Sequence, residues 1–342
     1  METLVRLGLV GYGAGGRIFH APYIQAVPEI ELAGVVTGNP DRRREVATDL
    51  PGVAVFDSLG DLLDAGVDAV TITTPPQTRR DLVLEAVSRG VHVVADKPFA
   101  PDADGGRELE RAAARAGVLL SVFHNRRFDA DFATVTGVLP ELGDLWRVES
   151  RYDLDEAAGL DAGPTGGLLR DIGAHLVDQM LTLLGPVESV YAHLDRVDLP
   201  AGRTDCGFSV AMTHRSGVFS TVTSSKLNHV VARQWRLYGS RGAYLSDGTD
   251  AQTEQILAGK RPADDPAGWG FERPDRLGTL HTADGARTVP SAQGRADEYY
   301  RRFAAAVDHG APQPVPASEG IAVLEVLDAA RRSADEGVLV HL

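Results

Sequence analysis

The sequence predicts an α/β chain in which a doubly wound parallel sheet of the Rossmann type precedes an α+β domain with a mostly antiparallel open sheet. Three observations predict it. Residues 4–123 alternate short apolar, β-branched runs with single amphipathic segments, the pattern of parallel strands covered on both faces by crossover helices. The first run leads straight into Gly11-Tyr12-Gly13-Ala14-Gly15-Gly16, glycines spaced for a strand-to-helix turn that can wrap a phosphate. After Asn125 the runs lengthen and follow one another across Gly-containing turns, as antiparallel neighbours do.

Taken in order, strands are expected at LVRLGLV, ELAGVV, VAVF, VDAVTIT, VHVVA and VLLSVF, with helices around 15–26, 40–49, 58–64, 78–89 and 104–116. These make residues 1–123 a dinucleotide-binding domain. Residues 124–342 are assigned to substrate binding and oligomerisation. That part opens with helices at 129–139 and 168–184, and has strands at LWRVESRY, VESVYAHL, CGFSVAMTH, GVFSTVTSS and QWRLYGSRGAYLSD. GKRPADDPAGWGFERPDR, residues 259–276, is rich in Pro, Gly and charge and reads as a loop. Helices near 295–309 and 318–336 close the chain, with the option of packing back on the first domain.

With 342 residues, 43% of them hydrophobic, there is room for two cored domains. A single cysteine, Cys206, excludes a disulfide framework and a cysteine-based zinc site, which suits a reducing compartment. METLVRLGLVGYG enters a strand without a basic or cleavable leader, and no run is long enough to span a bilayer; a cytoplasmic protein without membrane contact is expected. The net charge of -14 argues against a nucleic-acid partner. No G-x-S-x-G, P-loop or H-E-x-x-H pattern occurs, so acyl transfer and nucleotide hydrolysis lack support.

Within the glycine pattern, Gly11 permits the tight turn, Gly13 lets the backbone approach a pyrophosphate, and Gly16 lets the helix pack on the sheet. About twenty residues on, an Asp or Glu would bind an adenosine ribose. Here the strand ends in Thr37-Gly38-Asn39, and Pro40 starts a helix carrying Arg42, Arg43 and Arg44. A carboxylate would repel a 2′-phosphate, whereas a hydroxyl and a guanidinium bind one. NADP is therefore expected ahead of NAD, with Thr37 and Arg42 on the 2′-phosphate. The alternative is that the arginines pair with Glu45 and Asp49 on a solvated helix face.

Ligands meet an open parallel sheet at the carboxyl ends of its strands. Strand four ends in Thr73-Thr74-Pro75, strand five in Asp96-Lys97-Pro98, and strand six in His124-Asn125-Arg126-Arg127. A lysine at such an edge, beside a cationic nicotinamide, has its ammonium disfavoured by burial and like charge, which suits Lys97 to proton exchange. Further on, Asp171, His175 and Asp178 fall at i, i+4 and i+7, one polar stripe on a helix. A carboxylate and an imidazole one turn apart can orient a substrate hydroxyl. No additional His or Cys cluster completes a metal site, and none is expected.

GLVGYGAGGRIFHAPYI, the Asp96-Lys97-Pro98 triplet and D-I-G-A-H-x-x-D at 171–178 together resemble the Gfo/Idh/MocA oxidoreductases over residues 4–340. GVLLSVFHNRRFDADF and PADDPAGWG are most similar to the family's NADP-dependent scyllo-inositol dehydrogenase branch. The resemblance implies that Lys97 is the catalytic lysine, Asp171 the substrate-orienting acid and His175 the proton-transferring histidine. It also implies a family Glu at position 96, which Asp96 replaces with retention of the carboxylate. Thr37-Gly38-Asn39 with Arg42 resembles the Ser-Gly-Asn and distal Lys of members similar to glucose-fructose oxidoreductase, which use NADP. Where relatives commonly carry a His shortly after the Thr-Thr-Pro, this chain has Gln77-Thr78-Arg79-Arg80. The implied reaction moves hydride between the nicotinamide and a secondary alcohol of a cyclic polyol or sugar. Cofactor contacts are expected from Gly11, Tyr12, Gly13, Gly16, Thr37, Arg42, Thr73, Thr74, Pro75, Asp96 and Lys97. Asn125, Arg127, Arg151, Tyr152 and Asp153 are the candidates to grip remote hydroxyls, beside Lys97, Asp171 and His175. A homodimer or homotetramer is expected through the free face of the second sheet. A cofactor-sensing protein without turnover and an NAD-dependent glycosidase are the alternatives.

Overall fold

A computed structural model describes residues 4–156, 159–163 and 166–342; Met1–Thr3, part of the N-terminal reading above, lie outside them. The chain divides into two compact units. The first comprises residues up to 125 together with 255–269 and 295–321, and the second comprises 126–254, 270–294 and 322–342.

The first unit holds six parallel strands: β1 (Val5–Val10), β2 (Ile30–Val36), β3 (Val55–Phe56), β4 (Ala69–Ile72), β5 (His92–Asp96) and β6 (Leu120–Phe123). Their order is β3-β2-β1-β4-β5-β6, the doubly wound arrangement that reverses direction beside β1 and so opens a crevice at the ends of β1 and β4. Strand β4 and most of β1 and β5 are buried on both faces, which explains their unbroken apolar runs. The connecting helices are α1 (Ala21–Gln25), α2 (Pro40–Asp49), α3 (Leu59–Asp64), α4 (Pro76–Ser88) and α5 (Ala103–Ala116). Asn39 caps α2 by accepting from the Asp41 and Arg42 amides, as the Asn-Pro start predicts. The helix expected at 15–26 is instead a π-helical segment, Gly15–His20, followed by α1. Pro22 has no N–H to give the preceding turn and its ring crowds that turn's carbonyls, so a continuous α-helix cannot run through it.

The second unit is built on nine strands, which include β7 (Leu145–Asp153), β8 (Val187–Leu199), β9 (Gly202–His214), β10 (Phe219–Ser225), β11 (Ala232–Gly239) and β12 (Gly242–Asp247). Pairing is antiparallel except between β7 and β10. That exception was not anticipated: β7, first in sequence, sits centrally between β11 and β10. The short strands β13 (Thr279–Thr282), β14 (Gly285–Thr288) and β15 (Val340–His341) extend the two ends. The helices α6 (Ala130–Leu142) and α7 (Ala174–Leu184) pack on one face of this sheet. The segment α8 (Ala251–Leu257) precedes the loop region, and α9 (Asp297–His309) and α10 (Ala317–Glu336) close the chain. No helix among the described residues is long and apolar enough to cross a membrane.

Candidate functional site

In the first unit the glycine turn lies where the sheet reverses. Gly11 has a φ of 99°, a left-handed conformation that disfavours side chains, and its amide donates to the Val36 carbonyl at 3.0 Å. Thr73, just past β4, closes the turn from the other side, its hydroxyl directed at the Val10 and Gly11 carbonyls (3.2 and 3.0 Å). A Cβ at Gly16 would overlap the Gly11 carbonyl oxygen. At Gly13 it would meet no protein atom within 4 Å beyond its chain neighbours, so the packing of this turn does not itself require a glycine there. Thr74 takes the Thr78 hydroxyl on its own (2.8 Å), and Pro75 leads into α4. The Tyr12 ring is buried and its hydroxyl donates to Asp49 at 3.2 Å. Burial and the Asp49 carboxylate push that hydroxyl well above its ordinary range; only the Tyr12 main chain is left on the outer side of the turn.

At the end of β2, Thr37 is buried and its hydroxyl accepts from the Asn39 amide at 3.4 Å. Arg42 donates to Glu45 (2.6 Å), while Arg17 donates to the other oxygen of Glu45 (3.0 Å) and to Asp49 (2.6 Å). Two guanidiniums thus straddle one carboxylate on α2. The hydrogen bond to Asp49 raises the Arg17 guanidinium further above its usual value. Arg17 carried no signal in the sequence, because its position depends on the π-helical turn that follows the glycines. Arg43 and Arg44 are committed to Asp57 and Asp41.

Lys97 follows β5 and is half-buried. Its amide donates to the Asp96 carboxylate at 2.8 Å, and Asp96 Oδ2 lies 3.5 Å from where a Cβ on Gly15 would stand. The carboxyl end of β5 therefore adjoins the glycine turn. Burial works to raise the Asp96 carboxyl, but Arg79, then His20 and Lys97, outweigh it and hold it well below the ordinary carboxylate range. Asn125 opens a single 3-10 turn, Asn125–Phe128, directly after β6.

In the second unit Asp171 belongs to a π-helical turn, Leu169–Gly173, that precedes α7. Asp171 therefore lies in a π-helical turn while His175 and Asp178 lie in α7, so the three do not share the single α-helix that the spacing suggests. His175 is buried in the first turn of α7. Asp178 is clasped by Arg127 at 2.8 and 2.5 Å, so those two serve each other. Asp171 faces Lys226, whose ammonium is buried and 3.8 Å away, and which also donates to the Gly159 carbonyl at 3.3 Å. Lys226 follows a polar strand end and gave no signal in the sequence.

Arg151 donates to Asp153 (2.6 Å), whose other oxygen takes the Ser225 amide (2.9 Å). Tyr152 lies in a buried ionic cluster. Its hydroxyl accepts from Arg126 (3.1 Å) and donates to Asp250 (3.0 Å), and Arg126 and Arg233 lie 4.9 and 5.0 Å from its ring. Arg233 in turn reaches Asp129 and Asp131 at 2.6 and 2.7 Å. Among the described residues no group of His, Cys, Asp or Glu is arranged to hold a metal ion.

Known proteins resemble this chain over nearly its whole length. The profile of the oxidoreductase family's NAD-binding Rossmann fold matches residues 5–124, and that of its C-terminal α/β domain matches residues 141–342. The scyllo-inositol 2-dehydrogenase (NADP(+)) IolW of Bacillus subtilis is 30% identical over 97% of this chain and 94% of its own length. The D-xylose 1-dehydrogenase (NADP(+)) 2 of Haloferax volcanii is 28% identical over 98% of each. The solved structure of the oxidoreductase yvaA from Bacillus subtilis superposes with a TM-score of 0.91 at 30% identity, covering 100% of this chain and 99% of that one. The chain belongs to the Gfo/Idh/MocA oxidoreductase family, and its N-terminal sheet is that family's NAD-binding Rossmann fold.

Proposed function

We propose that the protein is an NADP-dependent dehydrogenase that interconverts a secondary alcohol and a ketone on a cyclic polyol or sugar. The observation that carries the cofactor choice is the end of β2. No Asp or Glu occupies positions 37–39, where the strand ends; the Thr37 hydroxyl and the capped start of α2 stand there, and on that helix Glu45 pairs with both Arg42 and Arg17. A dianionic 2′-phosphate can take a guanidinium away from Glu45, because charge-assisted bonds to phosphate compete well with a half-exposed ion pair. The two NADP-named relatives support the same choice.

Bound NADP supplies the hydride acceptor. Lys97 and His175 exchange the hydroxyl proton and Asp171 orients the hydroxyl, with Lys226 keeping a positive charge 3.8 Å from that carboxylate. Asn125 is the remaining polar candidate for remote hydroxyls, and Arg127, Arg151, Tyr152 and Asp153 serve it only if they release their present partners. The polyol class rests on the inositol- and xylose-named relatives. With one cysteine in the chain, the cytoplasm suits it.

Self-association through the second sheet completes the reading. Tyr191 on β8, between the buried Val190 and Ala192, and Phe219 at the start of β10 are exposed, and light scattering should find a dimer or tetramer. The function itself is tested by following nicotinamide absorbance with NADP and NAD against inositols, aldoses and their keto forms. Turnover with NADP that disappears in Lys97→Ala supports the reading; a panel without Lys97-dependent turnover refutes it.

A further inference from the structure

Arg79 stands in the first turn of α4 with only 5% of its surface exposed. Its guanidinium binds main chain from two strand ends at once. Nε donates to the Thr74 carbonyl at 2.8 Å, and Nη1 donates to the Asp96 carbonyl at 3.0 Å and to the Pro98 carbonyl at 2.7 Å. Those last two carbonyls belong to the residues on either side of Lys97. Nη2 reaches the Asp96 carboxylate at 3.4 Å, whose other oxygen holds the Lys97 amide.

Behind the carboxylate, His20 Nε2 lies 3.7 Å from Asp96 Oδ1. Its Nδ1 is 2.5 Å from the Tyr300 hydroxyl, which Thr71 approaches at 3.4 Å. His20 and Tyr300 are fully buried, so the carboxylate that links Arg79 to Lys97 is itself braced.

A guanidinium at this depth is a poor way to gain stability. Removing it from water is costly, and an apolar side chain of similar volume would pack α4 at least as well. Burial lowers its affinity for a proton, and Asp96 restores part of that. What a guanidinium offers here is geometric: five donors in a rigid planar fork, able to hold several carbonyls at fixed angles, which neither lysine nor glutamine can reproduce.

We propose that Arg79 is the positioning residue of Lys97, clamping the peptide carbonyls on both sides of it and its Asp96 brace so that the lysine ammonium is held in place for proton transfer. The proposal rests on the reading that Lys97 moves the hydroxyl proton. Arg79 touches no reacting atom, so it acts on rate through the geometry of Lys97. Reaction geometry is sensitive to such shifts, a displacement near 1 Å costing about 100-fold in rate.

The test compares wild type, Lys97→Ala, Arg79→Lys and Arg79→Met in the NADP assay, with functional sites counted by NADPH fluorescence titration. Arg79→Met should lower kcat per NADPH-binding site by about 100-fold, with KM for NADP and polyol changed by no more than about threefold. Arg79→Lys, which keeps the charge but not the fork, should lie between it and wild type. In a further variant, Arg79→Ala, which leaves a space where the fork was, added guanidinium ion should restore part of the rate. A merely structural arginine would lower the melting temperature and the number of binding sites, and leave kcat per site unchanged. That result in Arg79→Met overturns the proposal; if Arg79→Met does not fold, a wild-type kcat per site in Arg79→Lys overturns it. Undiminished turnover in Lys97→Ala would instead remove the role of Lys97 and the clamp with it, whatever Arg79 does.

Discussion

Replacing Gly13 and Gly16 separately by alanine divides the two tasks of the glycine turn. At Gly13 an added Cβ meets no protein atom within 4 Å, and the residue is absent from the left-handed region of the backbone map. The free protein therefore gains only from a less flexible unfolded chain, about 0.4–1 kcal/mol, which raises Tm by about 1–4 °C for a cooperative unit of about 150–250 residues, the size class of each compact unit here. At Gly16 the same Cβ overlaps the Gly11 carbonyl oxygen and sits 3.0 Å from Thr73 Oγ1. Main chain cannot swing aside as a side-chain tip can, so the cost is that of overpacking, about 1–3 kcal/mol, and Tm falls by about 2–12 °C. On cofactor the order reverses in meaning. On the proposed cofactor reading the added methyl at position 13 meets the pyrophosphate, and loss of one hydrogen bond to a charged group weakens binding by about 10- to 100-fold. Thermal melts without cofactor and NADPH titrations on both variants decide it. Wild-type affinity in Gly13→Ala, or a Tm lowered as far as in Gly16→Ala, refutes the assignment of Gly13 to the ligand and Gly16 to the fold.

Two further predictions concern Arg42 on α2 and His214 at the end of β9. Arg42→Ala should weaken NADP by about tenfold and leave NAD nearly unchanged; equal weakening of both in a binding titration would reduce Arg42 to the partner of Glu45. His214, fully buried between the Gly185 carbonyl and the Ser220 hydroxyl, each 2.8 Å away, has its pKa lowered by burial from an ordinary 6.5. The unfolded chain then binds the extra proton first, so wild type loses stability as pH falls below 6.5, by at most about 1.4 kcal/mol per pH unit. Melts of wild type and His214→Gln should converge between about pH 7.5 and 5, and a constant gap would show that His214 does not titrate there.

The Rossmann half was legible because its information is local. A strand buried on both faces must be apolar throughout, and Asn39-Pro40 starts α2 where an N-cap and a first-turn proline predict. The second sheet was legible as strands but not as a topology. Alternation along LWRVESRY says which side chains face the helices, and nothing in it says that β7 lies centrally and parallel to β10. The strands β13 and β14 escaped because they are four residues each and β14 is exposed throughout. Both π-helical turns escaped as well. Pro22 marks the first of them, but no residue before Ala174 marks the second, and with it went the placement of Asp171.

Polar residues at strand ends were harder, since the sequence cannot count their partners. Tyr152 reads equally well as a substrate contact or as the centre of a buried cluster. The structure encloses it with Arg126, Arg233, Asp129, Asp131 and Asp250, and both hydrogen-bonding capacities of its hydroxyl are in use. Tyr152→Phe would leave Arg126 and Asp250 each short of a partner in a medium that cannot replace it with water. The cost of an unsatisfied buried polar group is about 1–3 kcal/mol, so Tm should fall by about 2–12 °C while KM for the polyol stays at its wild-type value. Were Tyr152 gripping substrate instead, the hydroxyl would have to leave Asp250 when the polyol binds. The phenylalanine variant would then keep its Tm and raise KM, and that outcome would return Tyr152 to the substrate.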